Sequence, residues 1–74
     1  MPKYPVIKPL ELIRILEILG FEKTRQKGSH IQFKHTDGRR TTVPLHKGRD
    51  ISPILLKEIL KEINLELDNF KTLL

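Results

Sequence analysis

Two short alternating runs, SHIQFKH (29–35) and RTTVPL (40–45), flank the tetrapeptide Thr36-Asp37-Gly38-Arg39. Asp-Gly between alternating runs is a strong hairpin signal. Loop length then decides which side chains share a face. A two-residue loop sets Val43 opposite Gln32 and Thr42 opposite Phe33, which mixes apolar with polar on both faces. A three-residue loop with Gly38 left-handed sets Ile31 beside Val43 and Phe33 beside Thr41. Register follows the hydrophobic pattern, so the three-residue loop is expected. One face then carries Ile31, Phe33, Val43 and Leu45, and the other His30, Gln32, Lys34, Thr42 and His46. His35 falls on the opposite parity from His30, at the hairpin end.

Upstream, LELIRILEIL (10–19) places Leu12, Ile13, Leu16 and Leu19 at helical spacing, with Glu11, Arg14 and Glu17 on the other side. Pro9 suits the first helical turn and Gly20 the position just past the end. FEKTRQ (21–26) reads as a further strand. Downstream, Ser52-Pro53 is an N-cap followed by proline at the first helical position. The helix it opens carries Leu55, Leu56, Ile59, Leu60 and Ile63 on one stripe, with Ile51 placed to staple onto Leu56 and Asn64 as a left-handed stop. The tail 65–74 is expected to add one turn around Phe70. Helix, three strands, helix is an α+β arrangement: a three-stranded antiparallel sheet with both helices on one face, in one domain over residues 1–74. That is the layout of a double-stranded-RNA-binding domain, although layout alone assigns no function.

A 74-residue chain buries only about 60% of the surface its unfolded form exposes. With no cysteine, neither disulfides nor thiolate metal sites stabilise it, and helix packing or a protein partner must. No apolar run approaches the roughly 18 residues of a membrane span. The opening MPKYPVIKPLE lacks a signal peptide's apolar region, so a cytoplasmic location is expected.

The net charge is +5, and its distribution is uneven. Residues 23–49 hold eight basic side chains against one acidic, a surplus of seven, while the rest of the chain holds six basic against eight acidic. All three histidines lie in the same stretch. Segregated positive charge favours a polyanionic ligand over a merely solvated surface. Aromatics are few, and Phe33 is on the core face, so binding led by phosphate contacts fits better than base stacking.

Three chemistries compete for the histidines. A metal site is disfavoured, because His35 faces away from His30 and His46 and the acids cluster on the helices. A Ser29–His30 hydrolase is disfavoured because strand neighbours point to opposite faces, which leaves Ser29 a strand-entry residue bonded to nearby backbone. RNA cleavage asks for less, since the RNA 2′-hydroxyl is itself the nucleophile. Histidine titrates near pH 6.5 and serves as acid or base at neutrality. Arg25, Lys27 and Lys34 neutralise phosphate charge, and Gly28 lets backbone approach it closely. Spacing alone favours a plainer role for His30, an exposed histidine touching phosphate or solvent.

The pieces GF (20–21), RQKGSH (25–30), DGRR (37–40) and VPLH (43–46), followed by a Leu/Ile-rich helix, together resemble a HicA toxin from about Pro5 to Phe70. The resemblance implies a fold like a double-stranded-RNA-binding domain and an mRNA-cleaving activity that stops translation. It also implies a HicB-type antitoxin that covers the active site, with the Gly-Ser-His histidine, here His30, as the catalytic group. The chain departs from the usual Ser-Gly start before the first helix, where Lys8-Pro9 stands. The candidate site is therefore His30 as catalytic residue, with Arg25, Lys27, Gly28, Ser29, Lys34 and His46 as RNA- or phosphate-binding residues. No metal or cofactor is expected, and the expected partners are mRNA, single-stranded or structured, and the antitoxin. The competing readings are a non-catalytic RNA-binding module of the same fold and a domain whose basic face docks an acidic protein.

Overall fold

The computed structural model describes residues 3–74; Met1 and Pro2, part of the opening segment inspected for targeting signals, lie outside it. The order is α1 (Pro9–Ile18), β1 (Glu22–Lys27), β2 (His30–Lys34), β3 (Arg40–Pro44), α2 (Pro53–Glu62) and α3 (Leu67–Lys71). The three strands form one antiparallel sheet in the order β1-β2-β3. The expected α+β layout is observed with α3 added, the extra turn around Phe70 having become a short helix that buries that ring. No helix among the described residues is long and apolar enough to cross a membrane.

α1 and α2 end where their sequences say they must. Gly20 takes φ +95°, and the N–H groups of Gly20 and Phe21 donate to the carbonyls of Glu17 and Leu16. This is the paired C-terminal closure that a left-handed residue permits. Asn64 at φ 55° repeats it after α2, with Asn64 N–H on Lys61 O and Leu65 N–H on Leu60 O. At the start of α2 the Ser52 hydroxyl accepts the Leu55 N–H at 3.2 Å, a cap worth about 0.5–2 kcal/mol over alanine. Ile51 is buried beside that cap and exchanges backbone hydrogen bonds with Ile7, tying the N-terminal segment to the entry of α2.

The β2–β3 register is the expected one: Ile31 opposes Val43 and Phe33 opposes Thr41. Ile31, Phe33 and Val43 are buried against Leu12, Ile15 and Leu16 of α1 and Leu56, Ile59 and Leu60 of α2 in a single core. On α1 the buried stripe runs through Ile15, which the sequence reading left out, while Ile13 and Leu19 lie half-buried at its rim. Leu12, Ile15 and Leu16 are the i, i+3, i+4 set, so the helix presents its face slightly rotated from the one expected. Thr41, the polar residue on the buried sheet face, donates its hydroxyl to the Glu62 carboxylate at 2.8 Å.

The hairpin tip is fastened to the rest of the fold. Gly38 takes φ +98°, the Gly38 N–H donates to His35 O, and the His35 N–H donates to Arg39 O. Thr36, Asp37 and Gly38 thus form the three-residue loop. Asp37 accepts the Arg39 backbone N–H at 3.0 Å and its Nε at 2.8 Å. Arg39 in turn lies over the Phe21 ring, its guanidinium carbon 5.0 Å from the centroid, and donates to the Ile63 carbonyl at the end of α2.

The hydrogen bonds from Arg39, the backbone one foremost, hold the Asp37 carboxyl below its ordinary 3.8. A depressed folded value means that the contribution is fully present above 3.8 and is lost as pH falls through the lower folded value. Thermal melts taken downward from about pH 5 should therefore show Asp37→Asn losing stability less steeply than wild type. Parallel slopes in the two proteins would show that this carboxylate is not linked to folding.

Candidate functional site

Gly28 and Ser29 form the two-residue turn between β1 and β2, with Lys27 and His30 paired on either side. Gly28 has φ +59°, and Ser29 is not left-handed. Positive φ at the first loop residue alone is the type II′ pattern, and glycine is the residue that adopts it without strain. Nothing lies within 4 Å of where a Gly28 side chain would start, so its requirement comes from backbone conformation. The Gln26 side-chain amide donates to the Gly28 carbonyl at 3.1 Å and steadies the turn.

The register of β1 slips by one residue between Lys23 and Arg25. Lys23 opposes Phe33 and Arg25 opposes Gln32, so Thr24 is the extra residue of a β-bulge, and its hydroxyl donates to Gln32 O at 3.3 Å. The bulge changes which way the basic side chains face. Without it, strict alternation from Lys23 would carry Arg25 and Lys27 to the helix side of the sheet. With it, both share the face of His30.

That open face is a small grid. Lys27, His30 and Pro44 form one row across the strands, Arg25, Gln32 and Thr42 the next, and Glu22, Lys34 and Arg40 the third. Every residue in it except half-buried Pro44 is exposed. Arg25, Lys27, Lys34 and Arg40 give four cations against the single carboxylate of Glu22. Arg40 was absent from the candidate set, although the same hairpin register that assigned Lys34 to this face assigns it too. A furrow lined by Thr24, Gln32, Lys34, Arg40 and Thr42 borders this face and reaches round to Phe33, Thr41 and Glu62 on the helix side.

His46 joins His30 on that side. The Leu45 N–H donates to Ser29 O at 2.6 Å, continuing the β2–β3 pairing one step beyond the strands. The His30 and His46 rings stand 6.2 Å apart between centroids, at 86° to one another. The Ser29 hydroxyl lies 3.2 Å from His46 Nε2. This corrects the reading of Ser29 as a strand-entry residue bonded to backbone. Ser29 is the second residue of a turn, where strand alternation does not hold, and its hydroxyl pairs with the imidazole of His46.

His35 lies apart, as its parity required. Its ring packs edge-on against Phe21 with centroids 5.1 Å apart, and its Nδ1 accepts the Asp37 N–H at 3.1 Å. Arg39, counted in the basic stretch, is likewise bound to Asp37, Phe21 and the end of α2. Both belong to the fold. Among the described residues, no three His, Asp or Glu side chains come together as a metal-ligating set.

A family model described as "HicA toxin of bacterial toxin-antitoxin" matches residues 10–65. No curated protein matches the chain.

Loss of the Ser29 hydroxyl removes the bond to Nε2 of His46 and leaves His30 untouched. In Ser29→Ala, nitrogen-15 spectra should show the His46 ring resonances moving by well over their linewidth while those of His30 stay near their wild-type positions. Unmoved His46 resonances would mean that the hydroxyl does not hold this ring in solution.

Proposed function

Because the chain belongs to the HicA toxin family of bacterial toxin–antitoxin systems, we propose that it is a cytoplasmic endoribonuclease that cleaves mRNA without a metal, with His30 moving a proton at the scissile phosphate. One observation carries the reading. The β-bulge and the hairpin register put His30, Arg25 and Lys27 together on the sheet face that the helices leave uncovered.

The chemistry is a transesterification. The 2′-oxygen of the ribose attacks the adjacent phosphorus and gives up its proton to a base. The bond from phosphorus to the 5′-oxygen breaks, and that oxygen takes a proton from an acid. A 2′,3′-cyclic phosphate and a 5′-hydroxyl result. His30 supplies one of these transfers, worth on the order of 10²–10⁴-fold. Lys27, its cross-strand neighbour, and Arg25 in the next row hold the phosphate and offset the charge that builds on its oxygens. Lys34 extends the cationic track away from the turn, and Gly28 keeps the turn free of a side chain where the backbone meets RNA.

The partner protein is an antitoxin of the HicB type that lies over the open face. A protein that binds only the folded toxin stabilises it by mass action, by about 2.7 kcal/mol at a hundredfold excess over Kd. For a domain of this size that is a rise in Tm on the order of 10 °C or more. Equal melting of free and demonstrably saturated toxin would remove the idea that the antitoxin engages the folded state.

The activity is tested in EDTA, with wild type and His30→Ala on an all-RNA oligonucleotide and its 2′-deoxy counterpart. Wild type should cut only the RNA, and His30→Ala should fall by about 10²-fold or more while keeping its fold and much of its RNA affinity. Binding without cutting by either protein would make the chain a non-catalytic RNA-binding module, with His30 reduced to a phosphate contact. Normal cutting by His30→Ala would move the chemistry to another residue.

A further inference from the structure

Attack and departure in this reaction take place on opposite sides of phosphorus. A single imidazole does not reach the 2′-oxygen and the 5′-oxygen together in one in-line step, so a second proton-transfer group is needed. We propose that His46 is that group, and that His30 and His46 divide the roles of base and acid between them. The inference rests on the ribonuclease reading given above and adds to it the second catalytic residue.

Three observations carry it. First, the two rings are 6.2 Å apart between centroids, too far to bond one another and close enough for one phosphodiester to meet both. Second, both are exposed on the same sheet face, beside Lys27 and Arg25. Third, His46 is held in place by a partner suited to a residue that gains and loses a proton. The Ser29 hydroxyl, 3.2 Å from Nε2, accepts the proton of that nitrogen and leaves Nδ1 as the one that exchanges a proton with RNA. The bond therefore persists in either protonation state, and the ring keeps its orientation through a catalytic cycle. Ser29 is accordingly a positioning residue, acting through His46.

The balance closes with these two groups. One histidine accepts the 2′-hydroxyl proton as the phosphorus–2′-oxygen bond forms. The other donates a proton to the 5′-oxygen as the phosphorus–5′-oxygen bond breaks. The pair ends with its protons exchanged, and no water, metal or further reactant enters this step.

A change of leaving group separates the two roles. At the linkage that wild type cuts, the bridging 5′-oxygen is replaced by sulfur, which departs as a thiolate and needs no acid. His30→Ala and His46→Ala should each lose about 10²–10⁴-fold on ordinary RNA. On the sulfur-bridged strand one of the two should return to within about tenfold of wild type, because it lacks only the acid, and the other should stay slow, because it lacks the base. The rescue also shows that the rescued variant is folded. His46→Ala cutting ordinary RNA within threefold of wild type overturns the assignment. So does an equal, unrescued loss in both variants, since a phosphate contact at either position gives that pattern. Wild type that cuts neither strand instead overturns the ribonuclease reading itself, a result distinct from both.

Discussion

The pairing of Ile31 with Val43 and of Phe33 with Thr41 is the contact on which the placement of every polar group depends. The sheet has three strands and helices on one side, so one face is covered and the other faces water. A slip of one residue in this pairing would turn Ile31 and Phe33 outward and bring His30, Gln32 and Lys34 into the core. Burying those polar groups without partners costs several kcal/mol, and each large apolar side chain left in water forgoes about 1.5–3 kcal/mol. The register is fixed from both directions, and the exposure of His30 follows from it.

The basic residues are divided by the same geometry. Arg39 sits at the junction of the hairpin tip, Phe21 at the exit of α1, and the carbonyl of Ile63 at the exit of α2. Its charge is taken up by Asp37 and by the negative end of α2, which helix termini present to cations. Arg40, the next residue, points the other way and stands free beside Lys34. Two adjacent arginines thus serve stability and surface charge respectively, because strand alternation separates them. The bulge at Thr24 does the corresponding sorting on β1, turning Arg25 and Lys27 toward His30 while Lys23 stays on the helix side of the sheet.

The parts legible in the sequence were those where one residue type has one low-energy use. Gly38 in a three-residue loop and Gly20 and Asn64 at helix ends take left-handed conformations that few other residues adopt, and Ser52-Pro53 supplies a capping hydroxyl and a donor-free first residue at a helix start. Alternation carried the hairpin faces and so the exposed position of His30. The bulge was not legible, because EKTRQK contains no apolar residue whose burial would reveal a change of parity. The Ser29–His46 bond was missed for a related reason. Alternation was applied to Ser29 as though it lay on a strand, whereas Gly28 takes it into a turn. Ile15 was overlooked inside a helix where nearly every third or fourth position is apolar, so the sequence showed a stripe without showing its centre.

An exposed site sets limits on the chemistry it can perform. Catalytic centres that stabilise charge strongly do so in clefts from which water is excluded, where each charge acts through a low dielectric. This domain has one apolar layer, already filled by the contacts between sheet and helices, and none of the open face is roofed. Its cations act through water and salt, so their contribution falls with ionic strength. In the reaction proposed above, such a site depends chiefly on what survives in water, which is proton transfer by correctly placed groups and orientation of the RNA. Both are properties of position. That is why the features with most consequence here are backbone ones: a left-handed glycine at the turn, a bulge on the edge strand, and a hydrogen bond from Leu45 to Ser29 that brings the second imidazole beside the first. The same openness suits the antitoxin proposed above, because a fold that does not enclose its own site is one that another chain can cover.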